Sequence, residues 1–177
     1  IIFYKLKAPS NSNVGTPVMK LLIFHTGSLG DTLVSVPALW AIRKHFAGAS
    51  IAMLFDRRHH MELVQPRDVL DGAGLVDEWI DYPTEQTYMK WQSAPGMFKL
   101  LSELRRRRFD ALVYLVRDRK LLSRQRDLVF FRLAGIRRFY GHRFPNDLPK
   151  KMNPPLPVVP HQTDRILERL ALSGIAV

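Results

Sequence analysis

The clearest pattern along the chain is an unbroken apolar run, Leu21-Leu22-Ile23-Phe24. Apolar residues then recur at helical spacing, at Leu33, Val36, Leu39, Trp40 and Ile42, up to about Phe46. A run without polar alternation reads as a strand buried on both faces of a parallel sheet. Trp40 and Phe46 fall on the apolar stripe of the helix and are expected in the core. Ser50 to Phe55 is a second strand. Met61 to Leu70 reads as a short helix interrupted by Pro66, Asp71-Gly72-Ala73-Gly74 as a turn, and Val76 to Tyr82 as a weaker third strand. The stretch from Pro83 to Pro95 is polar and aromatic and reads as loop. Gly96 to Arg108 carries Met97, Leu100, Leu101 and Leu104 on one stripe, an amphipathic helix. Ala111 to Val116 is the clearest later strand. Leu121 to Ala134 is a helix closed by Gly135 at C′, and Arg138-Phe139-Tyr140 is a last short strand. Strands alternating with helices at this spacing predict an α/β fold, a doubly wound and mostly parallel sheet.

After Arg143 the composition shifts. Six of the twelve prolines lie between Pro145 and Pro160, so that stretch is extended and cannot continue a helix. His161 to Gly174 then forms one more helix, with Ile166, Leu167, Leu170 and Leu172 apolar. Three segments are expected. Residues 1–18 form an N-terminal extension ahead of Met19, residues 19–144 the folded domain, and residues 145–177 a proline-rich strap and helix leading towards a further domain.

The 177 residues give room for one full core, and an apolar share of 46% with 24% charged residues indicates a globular chain. Cysteine is absent, which excludes disulfides and thiolate metal sites. No apolar run reaches the length of a membrane span. A net charge of +11 favours acidic partners: phosphorylated small molecules, anionic lipid or nucleic acid.

The candidate chemistry gathers at the end of the first strand. Thr26, Gly27, Ser28, Leu29 and Gly30 form a glycine-hinged turn between strand and helix, with Asp31 at its mouth. Glycines there permit conformations and close approaches that a Cβ would block. The turn and helix start present backbone N–H groups and a hydroxyl to a ligand, or else form a plain tight turn. Asp31 is equally an ordinary helix cap. Pro37 begins or kinks the helix. Arg57, Arg58, Arg117, Arg119 and Lys120 follow strand ends, on the same sheet edge if the winding is right, and guanidinium groups suit phosphate. Their alternative is solvated surface charge. The run Arg105 to Arg108 reads as a solvated helix end offsetting the dipole. His25 reads as a packed or loop residue beside the site. His59-His60 lacks a partner at ligand spacing, so no metal is expected.

These residues resemble the bacterial heptosyltransferase group, glycosyltransferase family 9. The resemblance rests on Met19 to Ile42, with Gly27-Ser28-Leu29-Gly30-Asp31 and Pro37. It continues in Arg106-Arg107-Arg108-Phe109-Asp110 opening a strand, Leu133-Ala134-Gly135-Ile136 closing a helix, and His161-Gln162-Thr163-Asp164-Arg165 opening another. Many members carry two serines where this chain has Gly27-Ser28, which leaves the acceptor open. The resemblance implies the Rossmann-like, acceptor-binding N-terminal half of a two-domain GT-B enzyme. Its partners would be a nucleotide sugar, ADP-heptose by analogy and held mainly by the other domain, and a glycolipid acceptor like the core of lipopolysaccharide. It further implies inverting, metal-independent transfer without a cofactor, cytoplasmic, in peripheral contact with anionic lipid at the inner membrane. This half alone is expected to be inactive. Asp31 would be the general base. Thr26, Gly27, Ser28, Leu29, Gly30, Arg57, Arg117 and Arg119 would bind substrate. Two rival classes remain: a basic nucleic-acid-binding domain, which lacks any recognised motif here, and a non-catalytic Rossmann-like docking module.

Overall fold

The computed structural model describes residues 18–56, 64–82, 94–116, 121–143 and 161–177. Among them five strands form one all-parallel sheet: β1 (Lys20–His25), β2 (Ser50–Asp56), β3 (Glu78–Tyr82), β4 (Ala111–Tyr114) and β5 (Arg138–Tyr140). The spatial order is β3-β2-β1-β4-β5, with β1 at the centre. This is the expected doubly wound, Rossmann-like α/β arrangement. Leu22 pairs with both Ala52 and Leu112, so the most apolar strand lies where both neighbours are strands. Its two faces serve two cores. Leu21 and Ile23 pack with Ala38, Leu39, Ile42, Ile166 and Leu170 on one side. Leu22 and Phe24 pack with Leu100, Leu104, Phe131 and Ile136 on the other. Each such side chain contributes about 1.5–3 kcal/mol by leaving water.

The helices are α1 (Leu29–Val34), α2 (Val36–His45), α3 (Pro66–Leu70), α4 (Ala94–Arg107), α5 (Leu121–Leu133) and α6 (Gln162–Ala171). Two of them revise the sequence reading. The single helix expected up to Phe46 is split at Ser35, because Pro37 in the first turn of α2 has no N–H to continue the α1 ladder. In α2 the inward face is Ala38, Leu39 and Ile42, and Trp40 falls on the opposite side of the turn. Trp40 is therefore 49% exposed instead of buried, while Phe46 is half-buried and packs edge-on against Tyr140. Pro66 opens α3 rather than interrupting it. The expected helix start, Met61 to Leu63, and the loop stretch 83–93 lie outside the described residues. So do the extension 1–17 and the proline-rich stretch 144–160.

At the amino edge of the sheet, aspartates register the strands. Asp110 accepts from the Lys20 N–H at 2.7 Å and returns its own N–H to the Lys20 carbonyl at 2.9 Å. Asp77 does the same with Ile51, at 2.7 and 2.8 Å. The arginine run here is stitched rather than simply solvated. Arg107 pairs with Glu103 and Glu78, and Arg105 donates to the Leu133 carbonyl at 2.7 Å, whereas Arg106 and Arg108 are exposed.

At the carboxyl edge α6 makes the corresponding link. Thr163 Oγ1 donates to the Val34 carbonyl at 3.0 Å, tying the start of α6 to the end of α1. Arg169 is buried, although the apolar stripe of the helix gives no sign of it. Its guanidinium donates to the carbonyls of Tyr114 (2.8 Å), Val116 (3.1 Å) and Gly141 (3.0 Å). These carbonyls lie at the end of β4 and just beyond β4 and β5, in buried residues where an unpaired carbonyl is costly. Leucine at 169 would strand them, at about 1–3 kcal/mol for each one left without a donor. In urea unfolding, Arg169→Leu is expected to lose at least ~2 kcal/mol, with Arg169→Lys in between. Equal stability of Arg169→Leu and the parent would rule out this clamp.

Candidate functional site

In a 3-2-1-4-5 sheet the chain leaves β1 towards one face and β4 towards the other, opening a crevice at their carboxyl ends. The glycine turn lies there. His25 and Thr26 are buried, Gly27 and Asp31 are half-buried, and Ser28 and Gly30 are exposed.

Asp31 is not the cap itself. Ser28 is the N-cap of α1 and Asp31 is its third helical residue. The two form a reciprocal capping box. Asp31 Oδ2 accepts from the Ser28 N–H at 2.8 Å and from Ser28 Oγ at 2.9 Å, while the Asp31 N–H reaches Ser28 Oγ at 3.4 Å. The carboxylate is thereby held in one rotamer at the crevice.

Gly27 makes this possible. A Cβ built on it would come within 2.7 Å of both Asp31 Cβ and Oδ2, and its φ of +157° is one that side chains rarely adopt. Gly30 differs from the expectation. It lies in α1 with ordinary dihedrals, and a Cβ there would meet only Ser28 Oγ, at 3.7 Å. Nothing within the described residues requires a glycine at 30.

Beneath Asp31 lies His25. Its Nδ1 is 3.2 Å from the Leu115 carbonyl and its Nε2 is 3.0 Å from Thr32 Oγ1, which itself is 3.2 Å from the Ser28 carbonyl. Burial pushes the pKa of His25 down, against smaller upward pulls from the Leu115 carbonyl and the Asp31 charge. Burial, with Arg143 nearby, also lowers His142. Thr32 is fully buried. The sequence reading found the neighbourhood of His25 but missed Thr32 and Arg169, since no periodicity marks a polar residue for burial.

Arg57, Arg58, Arg117, Arg119 and Lys120 lie outside the described residues. The strands that precede them, β2 and β4, do run parallel to β1 and end at the same edge. Among the described residues no group of His, Asp or Glu is placed to hold a metal ion, and no helix is long and apolar enough to cross a membrane. A cavity of about 160 Å³ lined by Phe24, Tyr82, Met97, Phe130 and Phe131 lies on the α4–α5 side of the sheet. Buried Asp127 on its wall accepts from Tyr114 Oη at 2.8 Å.

No family model matches the chain, and no curated protein matches it significantly. Among solved structures it is similar to a glycosyl transferase family 9 protein from Veillonella parvula. The TM-score is 0.58 and the identity 14%, over 93% of this chain and 44% of that one. The chain thus spans less than half the length of that protein. At this identity the likeness shows a shared fold. A second match, the C-terminal domain of a Pyrococcus furiosus hydrogenase, has a TM-score of 0.44 at 13% identity, covering 75% of this chain and 98% of that domain. It carries nothing further.

Gly27 and Gly30 should respond oppositely to alanine. Gly27→Ala must displace Asp31 or the turn and is expected to lose about 1–3 kcal/mol. Gly30→Ala replaces an exposed helical glycine and is expected to gain about 0.5–1 kcal/mol. Urea denaturation of both variants checks the pair, and equal effects would contradict the geometry. The histidines set a pH dependence. Their folded pKa values lie below the ordinary value of 6.5, so the unfolded chain takes up protons first as pH falls. Their contribution is complete above pH 6.5 and is lost progressively below it. A plot of unfolding free energy against pH should bend downward there, and more shallowly in His25→Gln.

Proposed function

We propose that this chain is the acceptor-binding half of an inverting glycosyltransferase, with Asp31 as the general base. One observation carries the reading: a carboxylate fixed by its own capping box, against a glycine that alone allows it room, at the crevice where a central parallel strand ends. The fold shared with a family 9 glycosyl transferase and the motif residues quoted above support it.

In this reading the acceptor hydroxyl hydrogen-bonds to Asp31. Its proton passes to the carboxylate as its oxygen forms a bond to the anomeric carbon of the donor sugar. The bond from that carbon to the nucleotide phosphate breaks on the opposite face, and the phosphate departs with the electron pair. An aspartate is a weak base, so its value lies in placement within hydrogen-bond reach. The two Ser28 donors are spent on Asp31 Oδ2, so the turn suits an uncharged hydroxyl better than a second anion. Phosphates of donor and acceptor are assigned to the arginines after β2 and β4, namely Arg57, Arg117 and Arg119. The heptose donor, the lipopolysaccharide-like acceptor and peripheral contact with anionic lipid extend the same proposal.

The test separates catalysis from capping, using transfer measured on the protein expressed from its natural reading frame. Asp31→Asn retains an oxygen that accepts from the Ser28 N–H, so it should cost little stability yet lower kcat about 10²–10⁴-fold. Ser28→Ala removes the hydroxyl of the cap, costs about 1 kcal/mol, and keeps the carboxylate and the backbone N–H that donates to it. Activity of Asp31→Asn equal to that of Ser28→Ala would reduce Asp31 to the partner of Ser28 in the capping box and end the proposal.

A further inference from the structure

We infer that His25 is a positioning residue for Asp31, a clamp acting through Thr32 that fixes the first turn of α1 to the segment leaving β4. The inference rests on the reading of Asp31 as base, but the clamp has readouts of its own.

Donor and acceptor inventory determines the state of the ring. The Leu115 carbonyl can only accept, so Nδ1, 3.2 Å away, must carry a proton. Burial keeps the imidazole neutral, which leaves Nε2 a lone pair. The hydroxyl 3.0 Å away, Thr32 Oγ1, is then the donor to Nε2. Neutral His25 is therefore the Nδ1–H tautomer, and its two bonds run in opposite directions across the crevice floor. One reaches the exit of β4, the other the residue following Asp31.

The arrangement is more than local packing. Leu115 returns its own N–H to the Phe24 carbonyl at 2.9 Å, so backbone and imidazole together hold the β4 exit against β1. The carbonyls flanking Leu115, at Tyr114 and Val116, are held by Arg169. Thr32 is fully buried, and its backbone N–H bonds the Ser28 carbonyl at 3.1 Å, closing the turn that carries Asp31. If the imidazole link is lost, the Thr32 hydroxyl still has the Ser28 carbonyl, 3.2 Å away, as an acceptor. The turn survives, but its tie to β4 is gone. The consequence should be a misplaced carboxylate rather than an unfolded domain.

Three substitutions separate the bonds. Asn at 25 offers a donor near the former Nδ1 and nothing near Nε2. Gln at 25 offers an amide oxygen towards Thr32. Val at 32 removes the hydroxyl while keeping the shape. In transfer assays of the protein from its natural reading frame, His25→Asn and Thr32→Val should each lower kcat about 10- to 100-fold, as expected for a displaced catalytic group, with little change in KM. The double variant should be no worse than either single one, and His25→Gln should recover most of the loss. Ring 15N shifts of His25 should report the Nδ1–H tautomer in the parent protein. An Nε2–H tautomer, additive losses, or unchanged kcat in both single variants would overturn the inference. If Asp31→Asn left transfer intact, the base assignment would fall. The tautomer and the non-additivity in unfolding free energy would then still decide whether the clamp exists.

Discussion

Where β1 and β4 part company, buried side chains donate to three consecutive carbonyls, and the placement of the strand ends depends on them. Those of Tyr114 and Val116 are taken by the guanidinium of Arg169, and that of Leu115 by the imidazole of His25. An extended chain alternates the direction of its carbonyls. Donors are therefore needed from two sides, and they come from α6 and from β1 itself. A buried carbonyl without a donor costs more than a typical hydrogen bond contributes. This edge thus fixes α6, the strand ends and the glycine turn together.

The other edge of the sheet is organised differently. Asp110 and Asp77 accept from N–H groups at the starts of β1 and β2, and Arg107 ties α4 to β3 through Glu78. These contacts are exposed or half-exposed and serve register, where partial solvation costs little. At the carboxyl edge the polar groups are buried and their geometry is tightly set. The contrast leaves a rigid, buried floor beneath the half-buried carboxylate of Asp31.

Charge at the site also follows from the local fold. Although the chain carries a net +11, the turn that would offer N–H groups to an anion uses Ser28 to hold its own carboxylate. The likeness to a family 9 glycosyl transferase extends over 93% of this chain but 44% of that one. The crevice at the end of β1 thus holds one carboxylate in a fixed position beside an exposed glycine turn.

Much of this was legible in the residues alone, and for definite reasons. The unbroken run Leu21 to Phe24 requires two apolar faces, which only a central parallel strand provides, and Gly135 marks the end of α5 as a left-handed cap. Pro37 announced a break whose place was open. Spacing alone put Trp40 in the core beside Leu39, whereas the buried face of α2 centres on Ala38, Leu39 and Ile42 and leaves Trp40 outside it. The sequence placed Asp31 at the mouth of the glycine turn, and the structure finds it there as the third residue of α1. That Gly27 exists to make room for it, while Gly30 answers to no internal demand, took the distances to show. His25, Thr32 and Arg169 were beyond reach of pattern: a polar side chain is buried only when its partners come from distant segments, and tertiary structure alone assembles those partners.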